Sequence, residues 1–323
     1  MSKPGGTNNA PSAVDEFRKE FAVVWAAMPR KAAFLGLLGA WLVLFEFLGN
    51  STFGYVATPS LFQWMHNAYN FPGSDDSHGN LIPFAVIALF WWKRDLLMGV
   101  EKRVWWPAAC CFLLAAGMHV LGYAVQQPLV SVVALFTGVY AILAWVWGWR
   151  FALSSLFPFA LFAFSVPLSA VLNPVTIPLR QLSTDLSVFI IRQVLGIQIV
   201  QQGVQILDSK GAYSYEVAAA CSGIRSLLML LALATVYAFI TFGSTWKRAV
   251  IVASSVPIAL GGNCLRLVAI VVASEAFGQK AGEFVHEWFG FVTFAVALGA
   301  MFGLSRLMPE DPPMVGAQRR VAA

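Results

Sequence analysis

Four side chains in this 323-residue sequence pair a reactive type with a telling position: Cys221, Arg266, His286 and His78. Cys221 lies in Ala219-Ala220-Cys221-Ser222-Gly223-Ile224-Arg225, where an apolar helix is expected to begin. A thiol there faces the positive end of the helix dipole, with Arg225 four residues on along the same face. Both influences favour the thiolate, the nucleophilic form of the side chain. The plainer alternative is a small residue opening a helix.

Arg266 stands in Gly261-Gly262-Asn263-Cys264-Leu265-Arg266, within a second apolar stretch. A guanidinium in such surroundings is costly, so it faces a protein interior and has a partner. Asn263 shares its face, three residues back. His286 opens His286-Glu287-Trp288-Phe289-Gly290, with Glu283 and Glu287 near enough in sequence to orient its ring or raise its pKa. His78 sits in Ser77-His78-Gly79, just before a further apolar run. Each has a bland reading: a structural pairing for Arg266, an arginine reaching for the surface at Arg225, an interfacial ring at His286.

Together they describe acyl transfer. A thiolate attacks a carbonyl, a histidine carries a proton to the leaving amine, and a guanidinium steadies the oxyanion. Asn263, Arg225, Ser222 and His78 are candidates for supporting or substrate-binding roles. HExxH and paired CxxC spacings are both absent, so no metal and no cofactor are expected.

The elements that must position these groups are set by composition. Hydrophobic residues make up 59% of the chain and charged residues 11%, with a mean hydropathy of +0.71. One globule of this size cannot hide so much apolar surface behind so few polar residues. A soluble enzyme, a disordered chain and a nucleic-acid binder are disfavoured, and a polytopic all-α membrane protein is expected. Runs near 32–49, 80–92, 104–124, 128–148, 151–172, 221–242, 249–274 and 288–307 give eight candidate spans. The first lacks a small-residue cleavage site after it and reads as an anchor rather than a signal peptide.

Charge placement then orients the bundle. With the N-terminus inside, fifteen basic residues fall on inside segments, among them Lys31, Lys93, Arg94, Lys102, Arg103, Arg150, Lys247 and Arg248. Outside segments hold only Arg180, Arg192, Lys210 and Lys280. That bias predicts both termini inside and reads the net charge of +5 as topology rather than an anionic partner. His66, His78 and His286 then lie outside, with His119 near the outer end of the third span. Cys110, Cys111 and Cys264 sit in apolar runs and read as small membrane residues, not a disulfide framework.

Two outside segments are long enough to fold. Residues 50–79 carry Phe62, Trp64, Met65, Tyr69 and Phe71 among polar residues, which suggests an interfacial amphipathic helix. Residues 173–220 begin at Asn173-Pro174 and continue into an amphipathic helix over about 175–195. Alternating runs around Gly203 and a turn at Lys210-Gly211 then suggest a hairpin or three-stranded cap. The organisation expected is a cytoplasmic arm (1–31), an eight-helix membrane domain (32–307) carrying the 173–220 cap, and a cytoplasmic tail (308–323).

In order along the chain, these elements resemble the exosortase/archaeosortase family of membrane cysteine proteases. The likeness rests on Ala220-Cys221-Ser222-Gly223-Ile224, Asn263-x-x-Arg266 and His286-x-x-x-Gly290. It also includes Ser77-His78-Gly79 with Leu81-Ile82-Pro83, and Leu195-Gly196-Ile197…Gly203. It covers roughly residues 60–300. The resemblance implies a thiol endopeptidase or transpeptidase at the outer face of the cytoplasmic membrane. Cys221 matches the nucleophile, Arg266 the catalytic arginine and His286 the catalytic histidine, while His78 matches a motif position.

Substrates implied in this way are secreted proteins ending in a short motif such as Pro-Glu-Pro, a transmembrane helix and a basic cluster. The acceptor would be an envelope glycan or lipid amine, or water. Partners are therefore those substrates and membrane lipids, with no nucleic acid. Two other classes fit the spans: a transporter, and a polysaccharide or lipid transferase using His78 with Asp75 or Asp76. A transporter is disfavoured because there is no internal repeat and the ionisable groups gather at one face. For the transferase, Cys221 would be dispensable and His78 essential.

Overall fold

The computed structural model describes residues 12–49, 58–71, 74–208, 214–216 and 224–309. Helices α1 (Ala13–Ala27) and α2 (Lys31–Phe47) meet at 97° where Arg30 takes a left-handed φ of 55°. After α3 (Leu61–Asn70), a 3-10 turn over Ser77–Asn80 leads into α4 (Ile82–Trp92), with Pro83 in its first turn, and short α5 (Arg94–Gly99). Helices α6 (Ala108–Ala124), α7 (Pro128–Trp147) and α8 (Trp149–Ala160) follow, the last prolonged by a 3-10 turn over Leu161–Ser165.

Helix α9 (Ser169–Phe189) ends in a π turn (Ile190–Val194) and feeds three short strands: β1 (Ile199–Gln202), β2 (Gln205–Asp208) and β3 (Ser214–Glu216). They form one antiparallel sheet in the order β1-β2-β3, with Gln202 opposite Gln205 across Gly203 at φ +62°. The β1–β2 hairpin falls at the alternating runs around Gly203, while the expected Lys210-Gly211 turn lies outside the described residues. Three long helices complete the chain: α10 (Ile224–Thr241), α11 (Thr245–Phe277) and α12 (Gln279–Arg306).

Two helical groups carry the fold. Around α2, α3, α6, α7 and α8, the rings of Trp41, Phe45, Tyr69, Trp147 and Phe151 interlock in one buried cluster. Trp41 lies so close over Gly138 that a Cβ there would meet its ring at 2.3 Å, and its indole N–H donates to the Leu135 carbonyl at 3.0 Å. In the second group Leu230, Ala238, Ile251, Ala297 and Met301 close the α10–α11–α12 bundle. Ile82, Val86, Leu161 and Ala232 join the two groups. Ile199 and Ile206 seat the sheet on Leu267, Ile270 and Val271 of α11.

Outer helix faces are apolar and uncovered: Phe84, Ile87, Leu113 and Phe291 are all exposed. Such faces are stable against lipid and unfavourable against water. By length and composition α7, α11 and α12 can cross a bilayer, and α1 with α2 would make a fourth span. Each of the eight expected runs coincides with a helix, but α4, α6, α8 with its 3-10 turn, and α10 are shorter apolar helices of 10–17 residues. The architecture is a mostly helical membrane protein with three to four candidate spans and one small sheet.

Several expected boundaries move. The fifth run stops at Ser165, and Asn173-Pro174 lies inside α9 rather than in a loop. Pro174 and Pro178 lie inside α9, beyond the first-turn amides that lack helical acceptors, so each leaves the carbonyl four residues back without its helical donor. The last helix starts at Gln279, nine residues before the expected edge, so His286 lies within it and not at its mouth. In α3, Met65 and Tyr69 are buried in the core. The helix is therefore docked on the bundle on that side rather than simply laid on an interface.

Candidate functional site

Arg266 and His286 come together through the α11–α12 pair. Both side chains stand about 30 Å along their helices from the Thr245 and Arg306 ends, close to one hydrocarbon thickness. Nη2 of Arg266 donates to the His286 carbonyl at 2.6 Å. The guanidinium covers Gly290, where an added Cβ would lie 3.6–3.7 Å from its Cζ, Nη1 and Nη2. The His-x-x-x-Gly spacing is thus one helical turn, and the arginine lies across it. Glu283 accepts from Gln279 Nε2 at 3.0 Å.

Asn263 is buried and donates from Nδ2 to Ser183 Oγ of α9 at 3.0 Å. Ser226, Asn263, Arg266 and Thr293 line a cavity of about 10 Å3, room for about one water, walled by Leu230 and Ala297. Ser226 belongs to α10, five residues beyond Cys221. Cys221 and Ser222 themselves lie outside the described residues. Arg225, on the first turn of α10, is exposed.

His78 occupies a second cluster. Its 3-10 turn packs on α3, α4, α10 and the Leu161–Ser165 turn. Gly79 makes this possible, because a Cβ there would meet the Tyr69 ring at 2.5 Å. The Tyr69 hydroxyl donates to the Ser165 carbonyl, and burial with the Asp76 carboxylate holds its phenol well above the usual range. His78 is 5% exposed, and burial pushes its pKa down. The Asp76 and Asp75 charges, with the carbonyls of Asp75 and Phe164, act in the opposite direction. The neutral ring is the form this site favours.

Helix α9 ties the clusters together. Arg180 Nη2 reaches Asp75 Oδ2 at 3.7 Å, and Ser183, three residues on, holds Asn263. Thr176, Ser183, Thr184 and Ser187 are buried, whereas Val175, Ile177, Leu182, Leu186 and Phe189 are exposed. The helix thus turns its polar face inward and its apolar face outward, the reverse of a water-facing helix. Sequence reading passed over Arg180 and Ser183. The signal was present: polar residues at 176, 180, 183, 184 and 187 follow helical spacing in a chain otherwise poor in them.

Four buried polar atoms have no hydrogen-bond partner among the described residues: His78 Nδ1, Ser165 Oγ, Arg180 Nε and Arg266 Nε. Burying such an atom unpaired costs about 1–3 kcal/mol, so each of them calls for a polar partner such as a water or a bound group. Two guanidinium N–H groups and an imidazole nitrogen suit carbonyl or carboxylate oxygens. His119, by contrast, is satisfied: its ring nitrogens face Ser131 Oγ at 3.2 Å and the Leu48 carbonyl at 3.1 Å, a structural role. His66 is exposed beside Asn70. Cys110 and Cys111 are free and exposed, and Cys264 is free and buried.

Compared with known proteins, residues 64–303 match a family model described as a transmembrane exosortase. No curated protein and no solved structure matches the chain.

Proposed function

The chain belongs to the transmembrane exosortase family, and from that premise we propose that it is a cysteine endopeptidase or transpeptidase acting on the C-terminal sorting signals of secreted proteins. In this reading the bundle crosses the cytoplasmic (inner) membrane with eight spans. Both termini are inside, and the site and its small sheet lie at the outer face. The observation that carries it is the Arg266–His286 contact, which puts a guanidinium and an imidazole on facing turns of α11 and α12. Ser226 of the helix that follows Cys221 lines the cavity beside Arg266.

The reaction runs in two balanced steps. The Cys221 thiolate adds to the scissile carbonyl, and Arg266 holds the oxyanion. Collapse breaks the C–N bond, His286 gives the leaving amine its proton, and a thioester remains. An acceptor amine or water then attacks the thioester, passes its proton to His286, and frees the thiolate. Asn263 keeps α11 in register with α9, and Ser222, Arg225 and His78 support the substrate.

Co-expression with a tagged protein ending in a Pro-Glu-Pro-type motif, a transmembrane helix and a basic cluster tests this. Cys221→Ala is expected to abolish processing at unchanged enzyme abundance, and continued cleavage would sink the reading. Mass spectrometry of the mature C-terminus identifies the scissile bond and any attached group. A second reading, an envelope polysaccharide or lipid transferase, draws on the unpartnered Nδ1 of His78 beside Asp76. It requires the opposite outcome: Cys221→Ala active and His78→Ala inactive.

A further inference from the structure

At the end of the bundle remote from this site, α6 begins, α7 ends and α8 begins around an open cavity of about 280 Å3. Glu101, Arg103, Trp105, Gly148, Trp149 and Arg150 line it. The pocket is a built one. The Trp105 amide donates to the Trp145 carbonyl at 3.0 Å, clamping the loop before α6 to the end of α7. Gly148, at φ +96°, lies so near the Arg103 carbonyl that a Cβ would come within 2.7 Å. Only glycine suits that combination of backbone angle and contact.

The lining favours an anion. The Arg150 guanidinium rests 5.5 Å from the Trp149 ring centroid and has no ion pair among the described residues. Arg103 places Nε and Nη2 on a single oxygen of Glu101, at 2.7 and 2.6 Å. The lining thus carries two guanidinium groups and one carboxylate, and Arg103 alone holds that carboxylate. Gly148 supplies no side-chain cap to α8, so the first-turn amides of that helix add positive potential at the same place.

Position narrows the ligand further. The cavity opens where three apolar helices end, among Trp105, Trp106, Trp145 and Trp149, with Trp106 and Trp149 exposed. Tryptophan in such a ring marks the boundary between hydrocarbon and water. A ligand here would combine a phosphate-type anion with apolar chains beside it. A free anion would have no use for the exposed indoles.

We propose that this cavity binds the phosphodiester headgroup of an anionic phospholipid between Arg103 and Arg150, with its acyl chains against Trp106 and Trp149. The site is separate from the peptidase reading and stands whether or not that reading holds.

Native mass spectrometry of the purified full chain, loaded with equal amounts of phosphatidylglycerol and phosphatidylcholine, tests it. Phosphatidylglycerol is expected to stay bound preferentially. Arg103→Gln and Arg150→Gln should each weaken its retention about fivefold, leaving phosphatidylcholine unaffected. Glu101→Gln frees Arg103 from its carboxylate and should strengthen retention, a gain that misfolding cannot imitate. Equal retention of the two lipids, or no change in any variant, would overturn the proposal. Displacement of the lipid by excess inorganic phosphate would overturn it in favour of a free-anion site.

Discussion

Nη2 of Arg266 donates to the backbone carbonyl of His286 at 2.6 Å, across two helices that share a long, close interface. The bond uses a carbonyl already within α12, so its effect is to fix where the guanidinium points. Gly290, one turn on, lies under the guanidinium, with room for a Cβ in ordinary contact. Arginine is suited to this place because its planar fork can bond α12 with one nitrogen and still present others.

Arg266→Lys is therefore expected to cost far more activity than stability. An ammonium lacks the planar fork that bonds the carbonyl with one nitrogen and aims another at an oxyanion, so processing of a sorting-signal substrate should fall by about 10²–10³-fold. Thermal unfolding in detergent should move little. Equal loss in both measurements would make Arg266 a structural residue.

The two motif glycines should respond in opposite ways. At Gly79 an alanine Cβ would press on the Tyr69 ring at 2.5 Å, and a core ring has little room to withdraw. Gly79→Ala should destabilise by about 1–3 kcal/mol. At Gly290 the nearest atom would be 3.6 Å away, an ordinary contact, so Gly290→Ala should fold like the parent. Melting temperatures of the pair decide it.

The hydrogen bond from Asn263 to Ser183 links helices 80 residues apart in sequence. A double-mutant cycle of Asn263→Ala and Ser183→Ala should give a coupling of about 0.6–1.7 kcal/mol, the range for polar pairs between membrane helices. Zero coupling would show that α9 is held by its apolar contacts alone.

His78 makes stability depend on pH in a defined direction. Burial lowers its pKa below the ordinary 6.5, so the unfolded chain binds a proton that the folded chain resists. The contribution is fully present above 6.5 and fades as pH falls toward the depressed folded value. Melting of the parent should therefore drop more steeply between neutral and mildly acidic pH than that of His78→Gln. Parallel curves would assign the acid sensitivity to another group.

Much of the fold was legible because its signals are local. Apolar runs of helical length placed the helices, and alternation about Gly203 placed the β1–β2 hairpin. The boundaries that moved did so for tertiary reasons. The polar Asn173–Ser187 stretch read as a loop and a surface helix because polar residues usually face water. In α9 Thr176, Ser183, Thr184 and Ser187 face the protein instead, and Val175, Ile177, Leu182 and Leu186 are the uncovered ones. Likewise, α12 extends back to Gln279 through a polar stretch that hydropathy alone separates from a span.

What the sequence determined by itself is the class of molecule and the family it belongs to. Composition forbids a water-soluble globule, and the order of the Cys221, Arg266 and His286 elements marks the family. Which groups meet was decided only by the tertiary structure. Arg266 with His286, Arg180 with Asp75 and Asn263 with Ser183 are pairs that no spacing along the chain encodes. Periodicity reports which residues share one helix face; it carries no information about which other helix that face meets. That choice follows from the packing of whole surfaces, where a glycine such as Gly79 admits the Tyr69 ring and a helix such as α9 turns its polar side inward.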